Sequence, residues 1–276
     1  MADKLRKNFE EPSISVSELS KTLYDTNLKL YETIKERNEM FANISHDLRA
    51  PITAIHNCIE YLSSLDHIDE SDIKEVLPML SSRSAMLERM IEDVFLLTKI
   101  DFARNIFNFE RVPADAFFED IFYTYKADEQ YSSRDLSLSI APDCSVSINV
   151  DLMYMKRAID NIFKNALKFT EAGNYIKMSV QRSAEQTLEI IISNDGQKIS
   201  EKNLPHIFDR TFTASDSRTP SSDNGLGLGL SICRGIVERH GGSIYAVSGD
   251  AVEKGCEFHI LLPVIYCSHS SAHLLR

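Results

Sequence analysis

Between Leu23 and Leu65 seam positions return at alternating steps of four and three residues: Leu23, Asn27, Leu30, Ile34, Arg37, Phe41, Ile44, Leu48, Pro51, Ile55, Cys58, Leu62 and Leu65. That heptad rhythm specifies a long helix packed along one stripe against other helices, and only Asn27, Arg37 and Pro51 break its apolar character. With Leu48 and Ile55 at a and Ile44 and Cys58 at d, His46 falls at f, the position furthest from the seam. The helix therefore buries its stripe and holds an imidazole out to solvent beside an acid, Asp47. Taken alone, such a pair is an ordinary surface feature. What raises its interest is the remainder of the chain.

The polar run Asp66-His67-Ile68-Asp69-Glu70-Ser71-Asp72 supplies a turn and an N-cap for a second helix near 72–101, with Ile73, Val76, Leu77, Leu80, Leu87, Ile91, Val94 and Leu97 at helical spacing. Two long helices joined by a short turn make an antiparallel hairpin. A hairpin with such broad apolar faces is underburied by itself, so two copies pairing as a four-helix bundle is the economical arrangement. Pro51 and Pro78 each remove a backbone donor inside a helix; Pro51 leaves the carbonyl of Asp47 without its helical partner. Residues 1–20 read as a polar tail ahead of this hairpin, which spans 21–103.

The chain has 276 residues and 43% hydrophobic composition, enough for two ordinary domains with real cores. A net charge of -11 argues against a nucleic-acid binder, since no basic excess is available to neutralise phosphates. The five cysteines are scattered and never form a CxxC pair, so neither a disulfide framework nor a zinc site is indicated. No apolar run approaches the roughly 18 residues of a membrane helix, and the first residues, MADKLRKNFEEP, carry no apolar signal region. The expectation is a cytoplasmic chain with no membrane contact of its own, or the cytosolic part of a longer receptor.

After about Phe102 the period changes. Helical spacing returns at 114–127, then strict alternation at Leu136–Ile140 and Val146–Val150 marks half-buried strands. A helix opened by Asp151 follows, and further strands are expected at 176–180, 188–192, 244–247 and 256–262. This order gives a mixed sheet covered by helices, an α+β two-layer sandwich over 104–266, with 267–276 as a C-terminal tail.

Three groups of residues in this second domain carry chemical potential. Asn161, Asn165 and Lys168 stand at spacings of four and three on one helix and share a face, with Phe169 beside them, while Leu152, Met155, Ile159, Ile162 and Phe163 take the buried side. Amide oxygens suit Mg²⁺ and an ammonium suits the phosphates such a metal bridges, although two amides and an amine are equally at home on a solvated face. Gly225, Gly227 and Gly229 precede another helix, a combination that lets backbone approach an anion. A GxGxG is weak evidence alone, and this one lacks the preceding strand and later acid of a dinucleotide fold. Ser193-Asn194-Asp195-Gly196-Gln197-Lys198-Ile199 ends a strand, where Asn-Asp-Gly is usually only a turn.

Taken in order, these motifs resemble the sensor histidine kinases of bacterial two-component systems, over about Ser20 to Pro263. SHDLRAPI (45–52) looks like the phosphoacceptor box and DNIFKNALKFT (160–170) like the asparagine box. SNDGQKI (193–199) resembles the first glycine motif, LPHIFDRTF (204–212) the phenylalanine box, and NGLGLGLSICRGIVERHGG (224–242) the second glycine motif. The resemblance implies a Bergerat-type ATP-binding sandwich behind a dimerising phosphotransfer hairpin, with ATP and Mg²⁺ as cofactors. It makes His46 the phosphoacceptor and Asp47 the group that orients or deprotonates it. Asn165 would ligate Mg²⁺ with Asn161 in support, Lys168 and Arg210 would contact phosphates, and Phe169 would pack near the nucleotide. Asn194 and Gly196 belong to the nucleotide site, and Gly225, Gly227 and Gly229 shape a lid. The implied partners are a second copy of the chain and the receiver domain of a response regulator.

Departures qualify this likeness. The first glycine motif of the family reads Asp-x-Gly-x-Gly, its Asp accepting from the adenine amino group; here that position is Asn194 and the second glycine is Lys198. A neutral amide accepts a weaker bond than a carboxylate, so lowered ATP affinity is expected. Asp195 would substitute only by slipping register, which turns it to the other side of the strand end. Ala50 stands one turn after His46, where a polar residue in relatives positions water, so weak phosphatase activity is expected. Thr211 and Thr213 replace an aromatic and a basic residue near the lid. The alternative reading is a catalytically weakened dimeric scaffold or regulator-binding module. A chaperone- or topoisomerase-like clamp leaves the histidine-bearing hairpin unexplained.

Overall fold

The computed structural model describes residues 16–102, 107–210, 212, 226–249 and 254–265. The chain divides into two compact units, Met1–Asp47 and Leu48–Arg276, the boundary falling inside the first helix.

Helix α1 spans Val16–Ser64 and contains Pro51. It begins inside the stretch read as a tail. In the first unit Leu23, Leu30 and Ile34 are exposed in the single chain, as is Phe41, whereas Met40 and Ile44 are buried. In the second unit, α2 spans Glu70–Phe102. Its start is fixed by a reciprocal cap: the Asp69 carboxylate accepts from the backbone N–H of Ser71 at 2.8 Å and of Asp72 at 3.0 Å. Asp72 accepts in turn from the Asp69 N–H at 3.0 Å. Tyr61 donates to Asp72 at 3.3 Å, tying the end of α1 across the turn. Val76, Met90, Leu96, Leu97 and Ile100 are buried, while Ile73, Leu77 and Ile91 stay exposed. The hairpin thus retains apolar surface, as expected for half of a bundle. No helix among the described residues is long and apolar enough to cross a membrane.

The sandwich follows as β1 (Glu110–Pro113), α3 (Ala114–Lys126), β2 (Asp135–Ile140), β3 (Ser147–Val150), α4 (Leu152–Phe169), β4 (Tyr175–Ala184), β5 (Thr187–Asn194), α5 (Gly229–Arg239), β6 (Ser243–Ser248) and β7 (Cys256–Ile265). Along the sheet the order is β1-β3-β7-β5-β4-β2, with β6 pairing the earlier part of β7. The β2–β4 pair is parallel and the others antiparallel. Alternation sets which face is buried: Ile176, Met178 and Val180 of β4, Leu188, Ile190 and Ile192 of β5, and Phe258, Ile260 and Leu262 of β7 are all at or below 1% exposure. They meet Phe118 of α3, Ile159, Ile162 and Phe163 of α4, and Ile232 and Ile236 of α5, the core of the domain. Leu152, expected on the buried side of α4, is 37% exposed, because it occupies the first helical position ahead of the first full turn.

One buried histidine closes this layer. The Asp151 side chain caps α4 by accepting from Tyr154 N–H at 3.0 Å, and its own backbone N–H donates to Nε2 of His240 at 2.9 Å. Nδ1 of His240 donates to the Ile236 carbonyl at 2.7 Å, so both ring nitrogens are used with the ring neutral. Burial pushes this imidazole below its ordinary value. A group with a depressed folded pKa binds fewer protons folded than unfolded. Its stabilising contribution is therefore complete above about pH 6.5 and is lost as pH falls through the folded value. Denaturant unfolding at pH 7.5 and 5.5 is expected to show a steeper acid loss in the parent than in His240→Gln. Equal slopes would contradict this assignment.

Candidate functional site

His46 lies on α1 with its side chain 61% exposed, and Nδ1 sits 3.2 Å from Oδ1 of Asp47. An ionised carboxylate at that nitrogen favours the tautomer with its proton on Nδ1, which leaves the Nε2 lone pair for an electrophile. The heptad assignment that put His46 off the seam agrees with this exposure. Ala50, one turn on, is exposed and offers no polar group. Carboxylate partners are not peculiar to His46: His56 is 3.2 Å from Glu60 and His206 is 2.8 Å from Asp209, so geometry of the pair alone does not single out the acceptor.

Helix α4 carries Asn161, Asn165, Lys168 and Phe169 together. Asn161 is half-buried and its Nδ2 donates to the carbonyl of Gly229, the first residue of α5, at 3.1 Å. That amide is thus occupied in joining the two helices, in keeping with a supporting role. Asn165, half-buried one turn later, presents a second amide on the same stripe. Lys168 ends the helix with Nζ 5.4 Å from the centroid of the Phe169 ring, a cation–π contact on a ring that is 39% exposed. Among the described residues no cluster of three or more His, Cys, Asp or Glu gathers as a metal site. A divalent ion here would rest on the Asn165 amide oxygen and on ligand phosphates, a hard-oxygen set that fits Mg²⁺.

The lid glycines are divided. Gly225 lies outside the described residues, as do Thr211 and Thr213. Gly227 has φ of 67°, a left-handed conformation that favours glycine. Gly229 opens α5, and Leu228 before it makes no side-chain cap. Leu226 and Leu228, which alternate with these glycines, are buried and anchor the end of the segment in the core. Arg210 lies elsewhere than on this stripe: its Nη2 donates to Oδ1 of Asp101 on α2 at 2.6 Å.

Asn194, at the end of β5, is 1% exposed. Its Nδ2 donates to Oγ1 of Thr170 at 3.0 Å, and its Oδ1 accepts from the Cys256 thiol at 3.1 Å, a thiol that burial pushes up to about 12. Thr170 and Cys256 were not singled out by sequence reasoning, and nothing local to either marks it. Gly196 is required by packing: a Cβ there would stand 1.9 Å from the carbonyl oxygen of Phe169, where Gln197 N–H donates at 3.0 Å. Asp195 instead accepts from Tyr175 N–H at 2.9 Å, turned towards the start of β4 and away from Asn194, as the register argument expects. Lys198 reaches the Gly249 carbonyl at 2.8 Å, bracing the turn after β6.

Comparison with known proteins matches this division of labour. Residues 36–103 match the His Kinase A phospho-acceptor domain, and residues 150–265 match the ATPase domain shared by histidine kinases, DNA gyrase B and HSP90. The sensor protein KdpD of Clostridium acetobutylicum is 32% identical over 79% of this chain and 24% of its own length. The sensor histidine kinase WalK of Bacillus subtilis is 29% identical over 83% of this chain and 37% of its length, so the chain spans only a minor part of each of these relatives. Among solved structures, histidine kinase ThkA in complex with the response regulator TrrA superposes with a TM-score of 0.67 at 21% identity, covering 88% of this chain and 66% of that one. An exposed histidine on a phospho-acceptor hairpin, followed by an ATPase sandwich of the same family, places the chain among the sensor histidine kinases, as their catalytic core.

Proposed function

We propose that this chain is an ATP-dependent protein-histidine autokinase that phosphorylates His46 and passes the phosphoryl group to an aspartate on the receiver domain of a response regulator. It would act as a homodimer at the cytosolic side of signalling, through a phosphotransfer hairpin at 21–103 and an ATP-binding domain at 104–266. The observation that carries the reading is the exposed His46 with Nδ1 engaged by Asp47, set in a phospho-acceptor domain ahead of the ATPase sandwich. Nε2 forms a bond to the γ-phosphorus as the bond to the β,γ-bridging oxygen breaks and ADP departs. The Nδ1 proton is held by Asp47, which stabilises the charge that develops on the ring. Asn165 would hold Mg²⁺ with Asn161 in support, and that ion would supply charge neutralisation at the phosphates. Lys168 adds positive charge at the end of α4, Phe169 and Gly196 frame the nucleotide, and Gly225, Gly227 and Gly229 let backbone close on it. Most of the rate gain in such transfer comes from positioning and charge neutralisation.

The weakened-scaffold reading is favoured by one observation: Asn194, the position expected to read adenine, is a neutral amide already bonded to Thr170 and Cys256. Nucleotide titration separates the two. Asn194→Asp places a carboxylate where the Thr170 hydroxyl and Cys256 thiol both donate and an adenine amino group is met by a charged acceptor. ATP affinity is expected to rise roughly tenfold, the gain of one charge-assisted bond. Unchanged or weaker binding in calorimetry would contradict the adenine role of this residue, and no binding by the parent would favour the scaffold.

A further inference from the structure

The last ten residues of α2 gather three arginines from separate parts of the sandwich. Arg157 of α4 donates to Asp93 at 2.6 Å with both side chains more than two-thirds buried. Arg210 donates to Asp101 at 2.6 Å. Arg239, at the end of α5, donates to the carbonyl of Ile100, one of the terminal carbonyls that no helical N–H satisfies. Between them, Gly235 lets the backbone of α5 lie on Ile100: a Cβ there would stand 2.8 Å from Ile100 Cγ2. Asp93 and Ile100 are seven residues apart and so share one face of α2.

We infer that this face is an intramolecular docking strip for the ATP-binding sandwich, and that nucleotide phosphates loosen it by taking Arg210 from Asp101. The inference rests on the reading that Arg210 contacts phosphates. Arg210 bonds Asp101 through Nη2 and is 43% exposed, so its guanidinium is within reach of a ligand. A nucleotide di- or triphosphate carries more charge than a single carboxylate and accepts from the guanidinium fork at two oxygens. Arg157 and Asp93 have no part in the phosphate site and hold on when Arg210 is drawn away. Half-exposed ion pairs are individually weak. The Arg210–Asp101 pair is such a contact, so its loss on ligand binding loosens the strip while Arg157–Asp93, Arg239–Ile100 and the packing of Ile100 on Gly235 remain.

The test uses the intact chain with Asp93→Asn, Asp101→Asn and the double variant; none replaces a residue of the nucleotide site, and Asp101 meets that site only through Arg210. Asp101→Asn is expected to tighten ADP by about two- to fivefold, the span of one such ion pair, while leaving AMP unchanged; Asp93→Asn alters neither. Initial autophosphorylation rates rise in both. Hydrogen exchange at the amides of 96–102 accelerates in the parent when ADP is added, and is fast in the double variant with or without it. Unchanged ADP affinity in Asp101→Asn, or exchange indifferent to ADP, overturns the inference. A parent that binds ADP and loosens α2 but takes no label sinks the autokinase reading and leaves the strip standing. A labelled parent with no exchange response does the reverse, and a parent that binds no ADP overturns both.

Discussion

Gly196→Ala is expected to be one of the most damaging single-methyl changes in the ATP-binding domain. Its new Cβ would lie 1.9 Å from the Phe169 carbonyl oxygen and 2.7 Å from the carbonyl carbon, both backbone atoms that no rotamer change moves aside. Overpacking of this kind costs about 1–3 kcal/mol, and the bond from Gln197 N–H to the same oxygen is lost with it, adding about 1 kcal/mol. The junction that separates is the one where the end of α4, carrying Lys168 and Phe169, meets the end of β5, carrying Asn194. Calorimetric melting should fall by roughly 5–12 °C for a domain of this size, and ADP affinity should drop at least about tenfold, the factor that about 1.4 kcal/mol represents. Gly173→Ala is the control: its φ is 86° but nothing lies within 4 Å of an added methyl, so only the conformational cost of about 1 kcal/mol applies. Parent-like melting and binding in Gly196→Ala would mean that the close approach is dispensable.

His46→Gln should have the larger effect on chemistry and almost none on the fold. The side chain is 61% exposed, so the substitution is expected to change stability by less than about 0.5 kcal/mol. Glutamine offers no nucleophilic nitrogen, and phosphoryl incorporation should fall to background while ADP binding stays at the parent value. That split, unchanged binding with abolished transfer, distinguishes loss of the acceptor from damage to the nucleotide site. His56 and His206 make the experiment informative, since each also faces a carboxylate on the surface. Label persisting in His46→Gln would direct attention to them.

Much of this architecture was legible because period reports burial. Alternation located β2 and β3 to within a residue or so, apolar runs marked parts of β4 to β7, and the four-three stripe on α4 placed Asn161 and Asn165 on a common half-buried face. The exposure of His46 followed from its heptad position. β1 was not legible: four residues ending in Pro113 offer no alternation, and the strand exists through its pairing with β3. Strand order was equally hidden, since the parallel β2–β4 pair depends on contacts that no local pattern encodes. Asn194 could be recognised by its place before Gly196, but its partners Thr170 and Cys256 lie 24 and 62 residues away in sequence. The same holds for Asp93 and Arg157, 64 residues apart, which nothing local to either connects.

The most direct test of the central claim is to incubate the intact chain with Mg²⁺ and γ-labelled ATP, then divide the labelled protein between acid and alkali. A phosphoramidate on His46 predicts label that is lost in acid, kept in alkali, and absent from His46→Gln. Acid-stable label, or label surviving in that variant, would contradict the assignment of His46 as the phosphoacceptor.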